Sequence, residues 1–594
     1  MSETLSVDEA KVLEVRAGRD DTGNRSSRKG FFTDTTICIG CKACEVACKQ
    51  WNQLPDDGFL FTGMSYDNTG ALGASTWRHV AFIERPVALS TQDAGAFSWL
   101  FSSDVCKHCA RAGCLESCPT GAIVRTEFDS VFVQSDICNG CGYCVVNCPF
   151  GVIDRREGDG RAWKCTLCYD RLKADMEPAC AKACPTDSIK FGDLEELRQI
   201  ARARVHHLHE TGMHEAYLYG ADGADQPGTG GLNAFFLLLD KPEAYNLPPN
   251  PVVPTKTVSG DLGFVCACSF GIDDGRHQFR VCRKEMNTMP VESDADTTYY
   301  DRPMLKPSVW GIDIPLYYYF GGAAGAALTL GAAMQLAAHG GRRRRELQKL
   351  SARCHWIGII GSTVGGGFLI HDLGRPLRFL YMLRVFRPTS PMNMGAWILA
   401  GAAPSAITTG LFINSRGLLG MVGEVSGYVS GLFGAALAGY TGVLVSNTVL
   451  PIWRPSRRWM PVLFVGSAAA TAASILDLFS DEEAAHRVTQ VFGAAGRLIE
   501  IAAAKRVEWL ASEIPKVGEP FRQGPAATWW KAAGALTAAS LVVSLLPSKS
   551  KKKRRLAGLL GAAGSLCLRF AVHYLSDASA RDPKATIQQQ RANE

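Results

Sequence analysis

Cys38, Cys41, Cys44 and Cys48 crowd into the stretch CIGCKACEVAC. The spacing CxxCxxCxxxC suits iron–sulfur chemistry: three thiolates grip one polynuclear cluster and the fourth reaches over to another. Structural zinc instead uses two CxxC knuckles separated by a longer loop, because one tetrahedral ion does not accommodate four such crowded sulfurs. Disulfides are the remaining competitor, and they characterise short secreted chains without this periodic CxxC grammar.

The same logic recurs at Cys106, Cys109, Cys114 and Cys118, at Cys138, Cys141, Cys144 and Cys148, and at Cys165, Cys168, Cys180 and Cys184, the last group with an eleven-residue insert. Sixteen of the 21 cysteines are thereby used. Pro119, Pro149 and Pro185 follow the final cysteine of the later three groups, as the iron–sulfur pattern requires, whereas Lys49 takes that place in the first. Four groups imply four [4Fe-4S] clusters. Because the fourth cysteine of each group serves a partner cluster, the groups must pair, and we expect the first to pair with the fourth and the second with the third. The ligand sets are then Cys38, Cys41, Cys44 with Cys184; Cys48 with Cys165, Cys168 and Cys180; Cys106, Cys109, Cys114 with Cys148; and Cys118 with Cys138, Cys141 and Cys144.

The elements that position these thiolates are expected to form an α+β, ferredoxin-like domain of two pseudo-repeated dicluster units over residues 31–256, behind a polar extension, 1–30. The sequence contains no GxGxxG, Walker loop or HExxH to supply another chemistry. Such a domain relays electrons, and the substrate site belongs on another chain.

After a linker, 257–305, composition turns apolar, so the mean hydropathy near zero averages a polar half with a greasy one. Residues 314–338, 354–371, 388–415, 425–453 and 459–476 lack charged side chains and match the roughly 20 residues that cross a bilayer. Weaker spans at 487–504, 525–546 and 556–573 carry Arg497 and Glu500, Lys531, and Arg569; the first of these has an amphipathic surface helix as its alternative. The expectation is an all-α polytopic bundle of about eight helices over 306–576, with a polar tail at 577–594. Small-residue stretches such as GGAAGAALTLGAA (321–333) and VGGGF (364–368) allow close helix approach in lipid.

With eight helices, the basic runs 342–345 and 551–555 fall on the side opposite the clusters. Positive loops stay cytoplasmic, which puts the cluster domain on the outer, periplasm-like face of a bacterial inner membrane. Arg375, Arg378, Arg384, Arg387, Arg454, Arg457 and Arg458 run against that bias, so a cytoplasmic cluster domain stays open as the alternative. Residues 1–30 show no apolar signal segment and no adjacent arginine pair, so export is expected to rely on a signal carried by a partner. No nucleic-acid partner is expected.

Two resemblances add to this. FFTDTTICIGCKACEVACKQWN and GGLNAFFLLLDKPEAYNLPPNPVVPTK (230–256) resemble the opening and closing stretches of the iron–sulfur (beta) subunit of formate dehydrogenases in the molybdopterin oxidoreductase superfamily. WGIDIPLYYYFGGAAGAA (310–327), DLGRPLRF (372–379) and YTGVLVSNTVLPIW (440–453) resemble the NrfD-like membrane subunit of polysulfide reductase, a quinone-binding, haem-free bundle of eight helices. The chain thus looks like a fusion of two subunits, with a molybdenum or tungsten bis-pterin subunit implied as partner. Menaquinone or ubiquinone is the implied acceptor, and the alternative is a polysulfide, thiosulfate or other oxyanion reductase fed by quinol.

No haem is expected, since a b-type haem needs two facing histidines and the membrane half offers few candidates, His355 and His371 near opposite ends of one helix and His573 near the end of another. A quinone needs a hydrogen-bond donor and, on reduction, protons. Tyr317, Tyr318, His371, Asp372 and Tyr440 are the candidate contacts, Tyr440 and the start of the first helix being those the resemblance implies. Interfacial tyrosines also anchor helices, and Asp372 has Arg375 nearby as an ion-pair partner. Asp477, Arg497 and Glu500 are open to two readings, a proton path or an inward-facing structural ion pair. Cys266, Cys268 and Cys282 fit no motif.

Overall fold

Phe31 and Phe32 are adjacent in sequence, so their side chains leave opposite faces of a strand, yet both are fully buried. The sheet that holds them is therefore covered on both sides. The computed structural model of the protein describes residues 28–56, 66–86, 97–224, 226, 228–257, 299–338, 344–479, 483–547 and 550–592. Most of the N-terminal extension, most of the linker with Cys266, Cys268 and Cys282, and residues 342–343 of the first basic run lie outside the described residues.

The N-terminal part is α+β. Its strands are β1 (Lys29–Asp34), the hairpin β2 (Arg78–Pro86) and β3 (Phe97–Val105), the short pairs β4 (Ile123–Arg125) with β5 (Val131–Val133) and β6 (Asp154–Arg155) with β7 (Ala162–Trp163), then β8 (Ile189–Asp193), β9 (Tyr217–Tyr219) and β10 (Ala234–Leu238). The central sheet runs β8-β1-β10-β9. β1 is parallel to β10, with Phe31 opposite Ala234, and antiparallel to β8, with Phe31 opposite Phe191. Helix α1 (Ala43–Trp51) carries two of the first four cysteines. Helix α2 (Leu194–Glu210) buries Leu194, Leu197, Ala201 and Leu208, the one-sided stripe of an amphipathic helix.

Among the described residues, eight long helices build the second part: α3 (Asp313–Ala337), α4 (Arg344–His371), α5 (Pro391–Phe412), α6 (Leu418–Ser446), α7 (Trp459–Phe479), α8 (Glu483–Ser512), α9 (Gly524–Leu545) and α10 (Lys551–Arg581). By length and apolarity, α3, α5, α6, α7 and α10 are each able to cross a bilayer, and α4 joins them if its 112° bend into the segment Pro376–Leu383 is counted within one span. The expected sixth and seventh spans do form long helices, α8 and α9, but fall short of that apolarity. α8 carries Arg487, Arg497, Glu500, Lys505, Arg506 and Glu508, two of them turned into the protein interior. Backbones meet closely at the small residues: a Cβ on Gly325 of α3 would lie 2.6 Å from Gly434 O of α6.

The expected tail at 577–594 is largely helical. α10 continues to Arg581, and after Asp582, whose carboxylate accepts from Lys584 N, comes α11 (Pro583–Arg591). Its end lies on the cluster domain: Gln590 accepts from Asn250 N at 2.9 Å, and Arg591 pairs with Glu243 at 2.6 Å.

Candidate cluster-binding and membrane redox site

The sixteen thiols gather into four sets. Cys38, Cys41, Cys44 and Cys184 line a cavity of about 290 Å³, and Cys106, Cys109, Cys114 and Cys148 line one of about 340 Å³. Cys48 adjoins Cys165, Cys168 and Cys180; Cys118 adjoins Cys138, Cys141 and Cys144. Local geometry produces this convergence. Cys44 and Cys48 are one turn apart on α1 and both face inward, while the CxxC loops turn through left-handed backbone at Gly40, Gly140, Gly142 and Cys168.

These surroundings fit a polynuclear cluster. Each of the two cavities presents four soft sulfur donors drawn from CxxC loops and a distant cysteine, the donor set of an iron–sulfur cluster. Burial pushes the Cys44 and Cys114 thiols up to about 12, and their thiolates form only beside a compensating cationic centre. Hydrogen bonds already point at several sulfurs, from Leu167 N to Cys165 at 3.3 Å and from Ala162 N to Cys138 at 3.5 Å.

The sets follow one another in space. Cys44 neighbours Cys180, Cys165 neighbours Cys106, and Cys144 neighbours Cys114. At one end Cys41 is exposed, flanked by Ile39 and Val46 with 59% and 66% of their surface open. At the other end the Cys138–Cys148 loop sits on the bundle. Trp310 Nε1 donates to Cys141 O at 2.8 Å, Tyr143 OH donates to Leu444 O and Asn447 O at 3.1 Å, and Val449 N donates to Val146 O. Gly140, Gly160 and Gly374 touch backbone to backbone, so a Cβ on Gly374 would meet Gly160 O at 1.9 Å.

Three of the arginines on this side of the bundle are docking residues. Arg375 donates to Asp159 O, Arg378 to Ser135 O and Cys138 O, and Arg387 to Leu115 O. Their neighbour Leu377 is 99% exposed, so this segment turns its charges to the cluster domain and an apolar edge outward.

Behind that interface three sequence-selected tyrosines converge. Tyr317 lies 6.1 Å from Tyr318 and 6.4 Å from Tyr440, ring centre to ring centre. All three are buried, and the Tyr317 and Tyr318 hydroxyls have no hydrogen-bond partner among the described residues. Gly395 makes room for Tyr440, since a Cβ there would lie 2.1 Å from its ring. His371 and Asp372 have other partners: His371 is exposed at the rim, its Nδ1 2.9 Å from Asp313, and the Asp372 carboxylate accepts from Gly311 N at 2.8 Å. Arg375 binds Asp159 O, leaving Asp372 to brace the turn into α3.

Deeper still, Arg497 donates to Ser474 at 3.0 Å, Glu500 accepts from Thr537 and Ser565 at 2.9 and 3.3 Å, and Asp477 accepts from Thr489 at 3.3 Å. Arg569 lies 4.0 Å above the Phe464 ring, between Glu500 and Tyr318. Sequence reasoning did not connect Arg569, Tyr143 or Trp310 with the site. The aromatic inside the CGYC loop was the one signal available for Tyr143.

A cysteine-lined relay seated on a multi-pass helical bundle defines a membrane-bound iron–sulfur electron-transfer protein. Residues 37–122 and 97–194 match two families described as 4Fe-4S dicluster domains, and residues 302–577 match "Polysulphide reductase, NrfD". The "Formate dehydrogenase iron-sulfur subunit" of Haemophilus influenzae is 42% identical over 224 residues, covering 37% of this chain and 68% of that protein. The nitrate-inducible formate dehydrogenase iron-sulfur subunit of Escherichia coli is 40% identical over 226 residues, 37% of this chain and 73% of that protein. The B subunit of the anaerobic dimethyl sulfoxide reductase of E. coli is 32% identical over 174 residues, 29% of this chain and 78% of that protein. This protein belongs to the formate dehydrogenase iron–sulfur subunit family in its N-terminal part, with an NrfD membrane domain fused behind it.

Proposed function

We propose that the protein is the electron-transfer and quinone-reactive subunit of a respiratory formate dehydrogenase. The observation that carries this reading is the order of the cysteine sets, from an exposed end to the mouth of the bundle, where two buried tyrosine hydroxyls await a hydrogen-bond partner. When bound, [4Fe-4S] clusters supply one-electron transfer, and the four sets named above are their ligands. A separate molybdenum or tungsten bis-pterin subunit covers the exposed end around Cys41, Ile39 and Val46. Tyr317, Tyr318 and Tyr440 hold the head group of menaquinone or ubiquinone, the hydroxyls orienting its carbonyls. Asp372 shapes this site by fixing the start of α3, and His371 stands at its rim.

The complex sits in the bacterial inner membrane with the cluster domain on the outer face. The KKKRR run opens α10 at the far end of the bundle, and several arginines on the near side are engaged in docking. Protease accessibility in vesicles of known sidedness tests the orientation. Isolation from native membranes, with assays of formate-dependent quinone reduction and of iron, molybdenum and tungsten, tests the function. About sixteen irons per chain, at four per cluster, with formate activity support it; bound iron and partner without formate activity move the substrate elsewhere. The similarity to a dimethyl sulfoxide reductase B subunit favours as second reading an oxyanion or sulfoxide reductase in which quinol is the donor.

A further inference from the structure

Three cations of the cluster domain are almost fully buried: Lys107, which pairs with Asp104, and Arg78 and Lys164. Arg78 on β2 is 1% exposed and Lys164, after β7, is 2% exposed. Arg78 Nη2 donates to Cys180 Sγ at 3.2 Å, Nη1 donates to Ser103 O and Oγ at 3.2 and 3.3 Å, and the guanidinium lies 4.8 Å from the Phe31 ring centre. Lys164 Nζ donates to Val131 O and Cys165 O and lines the cavity of Cys106, Cys109, Cys114 and Cys148. Neither makes an ion pair with a carboxylate among the described residues. An uncompensated buried charge is strongly unfavourable, so each cation requires an anion close by. The thiolates are those anions: Cys44, Cys165 and Cys180 face Arg78, and Cys106, Cys114 and Cys165 face Lys164.

Arg78 thus stands between the Cys38/Cys41/Cys44/Cys184 set and the Cys48/Cys165/Cys168/Cys180 set, and Lys164 between the latter and the Cys106/Cys109/Cys114/Cys148 set. The Cys48/Cys165/Cys168/Cys180 set meets both of these cations, while the Cys106/Cys109/Cys114/Cys148 set meets Lys164 together with Arg125. Net charge and hydrogen bonds to sulfur are the levers by which a protein sets a cluster's potential. Reduction adds one electron, supplied from the neighbouring cluster, and breaks no bond, so a fixed cation and an N–H···S bond favour the reduced state. We infer that Arg78 and Lys164 are potential-setting residues that jointly raise the potential of the cluster on Cys48, Cys165, Cys168 and Cys180, the member of the relay that both of them flank. The inference rests on the ligand sets proposed above.

The test is an EPR-monitored redox titration of the complex purified from native membranes, with Arg78→Gln and Lys164→Gln beside the unaltered protein. Iron content and the number of cluster signals in the unaltered complex test the ligand sets; the shift in the variants tests this inference, so the two fail separately. Each variant is expected to disfavour reduction of one and the same cluster by at least tenfold, about 59 mV for one electron. Full iron content with all potentials in place overturns the inference, as do variants whose shifted clusters have no member in common. If Arg78→Gln loses iron, Lys164→Gln decides: a cluster made at least tenfold harder to reduce supports the assignment, and unaltered potentials overturn it.

Discussion

The cluster domain and the bundle bury polar groups by opposite means. In the cluster domain, short spacing brings most of a set together and a more distant cysteine completes it: Cys106, Cys109 and Cys114 line one wall and Cys148 closes it. In the bundle, Tyr317 and Tyr440 meet across more than a hundred residues, and Glu500 draws its partners from two other helices. A thiolate run that grips a metal group organises its own loop, whereas a membrane site depends on many helices being placed correctly first. Damage to the first should therefore remove a carrier, and damage to the second should leave the carriers intact.

The largest expected effect is that of Cys144→Ser. Iron per chain should fall by about four, and formate-dependent quinone reduction should drop by more than the roughly 10–100-fold seen for lost outer partners of metal sites. Iron analysis and quinone assays on the purified complex read both.

Arg569→Met comes next. It strips a buried cation from the neighbourhood of Glu500, and breaking such an arrangement on one side costs about 3–5 kcal/mol. Thermal unfolding in detergent should show that loss, with the iron–sulfur absorbance of the folded protein unchanged. Adding Glu500→Gln should restore much of the stability; a double variant as unstable as the single one would mean that the two groups act independently.

Tyr318→Phe should lower quinone reduction about tenfold, as expected for a lost hydrogen bond near 1.4 kcal/mol, while formate still reduces the clusters at the unaltered rate. Rapid-mixing absorbance separates the two steps. Slower cluster reduction would place Tyr318 in the relay instead of at its end.

The smallest effect concerns the join between the two parts. Asp67 is fully buried and accepts from Tyr299 OH at 2.6 Å, with His79 at 2.9 Å and Arg302 at 3.6 Å. Burial alone would raise its pKa, but the hydrogen bond and charge of His79, with Tyr299 and Gly70 N, hold it well below the usual carboxylate range. A depressed pKa contributes stability that is complete above the unfolded value near 4 and is lost as pH falls toward the folded one. Asp67→Asn should cost about 1 kcal/mol at pH 8, and the cost should shrink as pH falls below about 4 toward the folded value. A cost that stays the same down to pH 2 would exclude the carboxylate as its source.

Much of this was legible in the residues. CxxCxxCxxxC is a local code, and the charge-free runs from 314 to 476 mark helices because lipid offers no partner for an unsatisfied backbone group. The limits of sequence reading show in His371 and Asp372, which share a helix end with polar neighbours yet turn to Asp313 and Gly311. They show again at the C-terminus, where a polar stretch becomes α11 once the cluster domain supplies Asn250 and Glu243.

By itself, the sequence determined the iron–sulfur chemistry, the two-part organisation and the apolar helices, because each rests on spacing or composition within a few dozen residues. Only the tertiary structure decided the order of the cysteine sets, the pairing of Gly140 and Gly160 with Gly374 at the interface, the convergence of Tyr317, Tyr318 and Tyr440, and the placement of Arg78 and Lys164 between neighbouring sets. Those depend on distances between segments far apart in the chain, which packing sets and no local pattern encodes.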